Sequence, residues 1–136
     1  MREIKFRGKA KMSIEELDDL YLEHENGWVY GHLVMYGKTP YIVGDFIEVD
    51  SEYTVNEFWV PVYPESVGQF TNLTGKNGTE IYEKDIVKYK DYGEEHISKV
   101  IQDFRLGTGH YIKSPGIGFY SINERTIKAL EIEVIG

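Results

Sequence analysis

Apolar and polar residues alternate over residues 2–7, with Ile4 and Phe6 on one face and Glu3, Lys5 and Arg7 on the other, which is the period of a half-buried strand. The period then lengthens. Ser13, Ile14, Glu15 and Glu16 have the form of a capping box, in which the serine hydroxyl and the Glu16 carboxylate each satisfy a backbone N–H of the first turn, and they predict a helix over residues 14–23. Ile14, Leu17, Leu20 and Tyr21 share the predicted buried face of that helix, and Glu15, Glu16, Asp18 and Asp19 face solvent. From Asn26-Gly27 onward the pattern returns to strands at residues 28–36, 40–49 and 54–62, separated by Gly37, Lys38 and Thr39 and by Asp50, Ser51 and Glu52. Gly31 and Gly44 fall inside these runs and predict bulges or sharp bends.

Pro61 and Pro64 bracket a joint. Beyond it, short strands are expected at residues 67–71, 80–82, 85–90, 97–104, 109–113, 118–122 and 130–135, with Asn77-Gly78 as a hairpin turn and Asn123 capping one short helical turn. The predicted fold is mainly β with one N-terminal α-helix. Residues 1–64 form an acidic, β-rich α+β subdomain, and residues 65–136 a subdomain whose closely spaced strands fit a small SH3-like β-barrel.

Composition strengthens the β reading. Among the 136 residues, 14 Ile and 11 Val outnumber 7 Leu and 2 Ala, a bias toward side chains that suit a pleated sheet. The absence of cysteine excludes disulfides, thiolate metal sites and a cysteine nucleophile, and makes the cytosol the expected compartment. No 18-residue apolar run predicts a membrane helix, and residues 1–7 lack the apolar stretch of a signal peptide.

Charge is distributed unevenly. The net −8 divides into +4 over residues 1–11, −10 over 12–60 and −2 over 61–136. An acidic body repels phosphate, so nucleic acid is not a favoured partner, and binding it would have to be local. Arg2, Lys5, Arg7, Lys9 and Lys11 are preferentially read as an edge strand protected by charge.

Arg2 to Arg7, Gly68 to Leu73, Lys76 to Lys88 and the closing Glu133, Val134, Ile135 and Gly136 together resemble the YopX family of phage and prophage proteins from Gram-positive bacteria, in order along the whole chain. The resemblance implies a mainly β accessory protein with an SH3-like second half, acting in the bacterial cytoplasm and plausibly homo-oligomeric. It carries over no catalytic or binding residue. Where the family pattern commonly has Gly between the Glu and Asp of its central block, this chain has Lys84, which argues against a glycine-only backbone conformation there. A further Asn- and Glu-containing tail, frequent in the family, does not follow Gly136 in this sequence.

No catalytic motif is present. His24, His32, His96 and His110 lack metal-site spacing, although His96, His110 and Asp85 could assemble across the fold. The Gly107/Gly109 and Gly116/Gly118 pairs lack the residues that complete a phosphate loop, and no serine sits in a nucleophile elbow. Neither a metal nor a cofactor is expected. The remaining candidate is an interaction surface on the second half, formed by Tyr82, Lys84, Lys88, Tyr89, Lys90, Lys99, Tyr111 and Lys113, with tyrosines able to stack and lysines able to meet phosphate; tyrosine is equally an ordinary half-buried strand residue, and packing in the core or an oligomer is the preferred reading of these rings. The favoured function is a non-enzymatic, homo-oligomeric module that binds a host or phage protein, with nucleic-acid binding by this Lys/Tyr surface as the alternative.

Overall fold

The computed structural model describes residues 3–48, 54–103 and 105–136. The turn expected at Asp50, Ser51 and Glu52, Arg2 of the basic arm, and Phe104 at the end of one predicted strand lie outside the described residues. The chain divides into two compact units, Ile4–Gln69 and Phe70–Gly136, the latter including Glu3. Pro61 and Pro64 both fall within the first unit.

The first unit holds strands β1 (Phe6–Lys9), β2 (Trp28–Tyr36), β3 (Thr39–Val43), β4 (Phe46–Glu48), β5 (Thr54–Asn56) and β6 (Trp59–Pro61), with helix α1 (Ile14–Asp19) between β1 and β2. Strands β6, β3, β2 and β1 lie side by side, all antiparallel, and β4 pairs separately with β5. Two runs expected to be continuous are therefore broken. Strand β3 stops before Gly44, where an added Cβ would come within 2.8 Å of Glu57 and 2.9 Å of Phe58.

Alternation along these strands sends Phe6, Val29, Leu33, Ile42 and Val60 into one apolar cluster, with Ala10, Leu17 and Val62. Helix α1 covers this cluster through Leu17. Its capping box forms as expected, Ser13 Oγ accepting from Glu16 N–H at 3.1 Å and Glu16 Oε1 accepting from Ser13 N–H at 3.3 Å. The helix is shorter than predicted, because Leu20 caps it and Tyr21 takes a left-handed φ of +56°. Leu20 and Tyr21 consequently stay exposed rather than buried, and Ile14 at the first helical position is exposed as well.

Strand β7 (Gly68–Thr74) begins in the first unit, where Gly68 and Gln69 pair with β1, and continues into the second, where it pairs with β8 (Glu80–Tyr82). The second unit adds β9 (Ile86–Asp91), β10 (Glu94–Lys99), β11 (Tyr111–Lys113), β12 (Phe119–Ser121) and β13 (Glu133–Val134). Strand β9 lies between β10 and β13, and β11 pairs with β12. These sheets are open. A second helix, α2 (Glu124–Leu130), runs through seven residues where a single turn was expected; Asn123 caps it, accepting from Thr126 N–H at 3.0 Å. Ile81, Val87, Val100, Ile112, Ile122, Ile127 and Ile132 form the core of this unit with Tyr89. Among the described residues the architecture is mainly β with two short α-helices, one more than the sequence pattern predicts.

The Asn77-Gly78 turn forms as expected, with Gly78 at φ +82°. Lys84 takes φ +73°, so the left-handed backbone that suits glycine is kept with a lysine in it. Among the described residues, no helix is long and apolar enough to cross a membrane.

Candidate functional site

The structure separates the residues of the expected Lys/Tyr surface. Alternation on β9 sends Val87 and Tyr89 inward and Lys88 and Lys90 outward. Tyr89 is 1% exposed, its hydroxyl donates to the Lys113 carbonyl at 2.8 Å, and burial followed by the Asp91 charge raises its pKa. Tyr82 is 2% exposed and packs on Phe70 at 5.2 Å. The Tyr111 hydroxyl lies 3.0 and 2.9 Å from the carbonyl oxygens of Leu106 and Thr108, closing the preceding loop. Tyr82 and Tyr89 are therefore core rings, while Tyr111 is half-buried with its hydroxyl engaged.

The lysines fare differently. Lys88 lies 4.0 Å from Glu95 and 3.8 Å from Glu133, and Lys90 lies 3.9 Å from Glu131. Such exposed pairs contribute only about 0–1 kcal/mol each to stability, but they offset the positive charge that the phosphate reading requires. Lys99 shares this outer face, opposite Ile86. Lys84 stands in its own turn and Lys113 on β11 opposite Phe119.

The dispersed His/Asp group does not assemble either. His110 is buried against Glu83 at 3.1 Å, His96 stacks on Tyr89 at 5.4 Å, and Asp85 accepts the Tyr82 N–H at 2.8 Å. Among the described residues, no group of three or more His, Asp or Glu could hold a metal ion.

The first unit carries a surface that sequence reasoning missed. Strand β1 is not an edge: β2 pairs on one side and β7 on the other. Its basic residues therefore do not protect an edge. With Phe6 and Gly8 turned toward the core, Arg7 and Lys9 occupy the opposite face, where Trp28 and Tyr30 of β2 lie across from them. The Arg7 guanidinium stands 4.8 Å from the centre of the Trp28 ring and the Lys9 ammonium 5.8 Å. Lys9 also donates to the Asn26 carbonyl. Farther across this face Tyr41 meets Trp59 edge-on at 6.0 Å, and Trp59 is 50% exposed.

Helix α1 packs against the other face of the same sheet, so its exposed Glu15, Glu16 and Asp19 stand on the opposite face from Arg7 and Lys9, whereas Asp18 turns back to His24 at 2.7 Å, and the other His24 ring nitrogen accepts from Gly27 N–H beside Lys9. Exposed Ile14, Leu20 and Tyr21 accompany these acids. One face thus combines cations with aromatic rings, and the other combines carboxylates with apolar side chains. A signal was present in the sequence, namely Arg7 and Lys9 alternating with Phe6, Gly8 and Ala10, and Trp28 and Tyr30 alternating with Val29 and Gly31.

No curated protein and no solved structure significantly matches the chain. A family model described as YopX protein matches residues 5–136, which include both units' cores and the Arg7, Lys9 and Trp28 cluster, and the chain therefore belongs to the YopX family.

Proposed function

We propose that this protein is a non-enzymatic interaction module that assembles into a homo-oligomer head to tail, the aromatic and basic face of the Ile4–Gln69 unit of one copy meeting the acidic α1 face of the next. The observation that carries this reading is the complementarity of those two faces within one unit. Arg7, Lys9, Trp28 and Trp59 stand on one side, and Glu15, Asp19, Leu20 and Tyr21 on the other. Aromatic residues and arginine are enriched at protein interfaces, and opposite charges set the register of docking. Faces that differ within one copy form heterologous contacts, which close into rings or extend into filaments. Family membership supports a phage accessory role in the bacterial cytoplasm, with a host or phage protein as a further partner. The short antiparallel strands around one apolar cluster support reading the Phe70–Gly136 unit as an opened SH3-like barrel.

Light scattering on the unaltered protein, on Lys9→Glu and on Glu15→Lys/Asp19→Lys tests this. The unaltered protein is expected to be larger than one chain, each variant smaller, and an equimolar mixture of the two variants to recover mass by forming mixed pairs. A concentration-independent monomer, or variants that keep the parent mass, overturns it. An oligonucleotide bound at low salt and lost steeply as salt rises would establish the nucleic-acid reading instead.

A further inference from the structure

At one end of the second unit, the β9–β10 turn and the loop joining β11 to β12 line an open groove of about 340 Å³. Asp91 and Glu94 both line it, and they stand directly opposite each other on the β9–β10 ladder. Like charges at directly opposed positions destabilise a ladder. Tyr92, His96 and Tyr120 line the same groove. Tyr120 donates its hydroxyl to Asp91 at 2.6 Å, and the Tyr120 and His96 rings are both seated on buried Tyr89, at 6.2 and 5.4 Å. Tyr92, at the tip of the turn, is 99% exposed, and Ile117, also fully exposed, stands on the rim. No lysine or arginine lines the groove. The nearest lysines along β9, Lys88 and Lys90, project from the other face of the sheet toward Glu95, Glu131 and Glu133.

From this arrangement we infer that the groove binds a compact organic cation, an alkylammonium or guanidinium group, between the Asp91 and Glu94 carboxylates and the faces of Tyr92, Tyr120 and His96. A cation there relieves the Asp91/Glu94 repulsion and meets the negative faces of the rings, an attraction available to a weakly hydrated organic cation. The Tyr120 hydroxyl is a neutral donor, so it orients the Asp91 carboxylate and leaves its charge in place. This inference does not rest on the assembly proposed for the first unit.

Amide NMR titration of the full chain tests it, using tetramethylammonium, guanidinium at millimolar concentration and a blocked arginine amide as probes, with tert-butyl alcohol, sodium chloride and magnesium chloride as controls. Saturable shifts confined to the turns around Gly93 and Gly116, produced by the organic cations and absent with tert-butyl alcohol and sodium, are the expected result. Glu94→Gln, an exposed change whose folding is checked by unmoved amides elsewhere, is expected to weaken binding about tenfold, and Tyr92→Leu about threefold. The blocked arginine amide binding more tightly than tetramethylammonium identifies the source as a basic side chain of a partner polypeptide, and the reverse order identifies a free ammonium compound. Equal shifts with tert-butyl alcohol, no saturable shift, Glu94→Gln binding as the parent does, or tighter binding of magnesium than of any organic cation overturns the inference.

Discussion

Replacing Gly31 with alanine probes the first unit's sheet at its tightest point. Gly31 sits on β2 opposite Phe6 of β1, beside the His32↔Val43 pair that joins β2 to β3. A Cβ added there would lie 2.3 Å from the Val43 carbonyl oxygen, 3.1 Å from its carbon and 3.3 Å from Ile42 Cγ2. The obstacle is backbone rather than a side chain that can rotate away, so the two strands must separate. Separation also draws Leu33 and Ile42 apart in the apolar cluster beneath. Overpacking typically costs about 1–3 kcal/mol, and a rigid backbone contact belongs at or above the top of that range. Small domains are stable by only about 5–15 kcal/mol, so the loss is a large fraction of the whole. Both tryptophans of the chain, Trp28 and Trp59, lie in this unit, which makes their fluorescence a reporter of its unfolding. With a urea dependence of about 1–3 kcal/mol per molar, about 3 kcal/mol lowers the midpoint by about 1–3 M. Gly37→Ala is the control. Gly37 has φ +63° with nothing within 4 Å of an added Cβ, so its cost is conformational alone, about 1 kcal/mol. A Gly31→Ala midpoint within about 0.3 M of the parent, or one equal to that of Gly37→Ala, would refute the close-approach argument.

Lys84→Gly is expected to raise stability by about 0.5–1 kcal/mol, since it removes the strain of a side chain at φ +73° and returns part of that gain as unfolded-chain entropy; urea denaturation followed by circular dichroism checks it, with Lys84→Val as the destabilised counterpart. Leu17→Ala, at a fully buried position where α1 meets the sheet, should cost about 2–5 kcal/mol by the same tryptophan-monitored unfolding. The hydrogen bond to Asp91, with burial and the Asp91 charge, holds the Tyr120 phenol up at about 12 against an ordinary 10.0. A raised folded-state pKa stabilises fully below about pH 10 and is lost as pH climbs toward about 12, so Asp91→Asn should weaken that alkaline dependence and bring the Tyr120 ultraviolet titration down toward 10.0. Arg105, by hydrogen bonding first and charge second, holds the Asp103 carboxyl down at about 2. Its contribution is present above the ordinary 3.8 and lost as pH falls toward about 2, and carboxyl NMR titration of Arg105→Gln should show Asp103 returning toward 3.8.

Where a feature depends on a few neighbouring residues, the sequence by itself determined it. The two helix caps at Ser13 and Asn123, the Asn77-Gly78 turn and the strand over residues 28–36 are examples, because their stabilising hydrogen bonds or side-chain periods close within the segment. Family membership was legible for the same reason, in blocks such as Gly68 to Leu73 and Lys76 to Lys88. Which face of a strand meets which neighbour was not legible. Arg7 and Lys9 read as edge protection until β7, some 60 residues away in the chain, paired with β1 and made it interior. Lys88 and Lys90 read as a basic surface until β13 and the end of α2 brought Glu131 and Glu133 beside them. Tyr82 and Tyr89 read as packing residues before stacking rings, and the packing of the second unit turned them inward. Even the facing pair Asp91 and Glu94, three residues apart, became part of a groove only when the β11–β12 loop was brought beside it. Charge and aromaticity are written in each residue, but their partners are set by strand pairing between distant segments. Tertiary structure alone therefore decided which surfaces this protein presents.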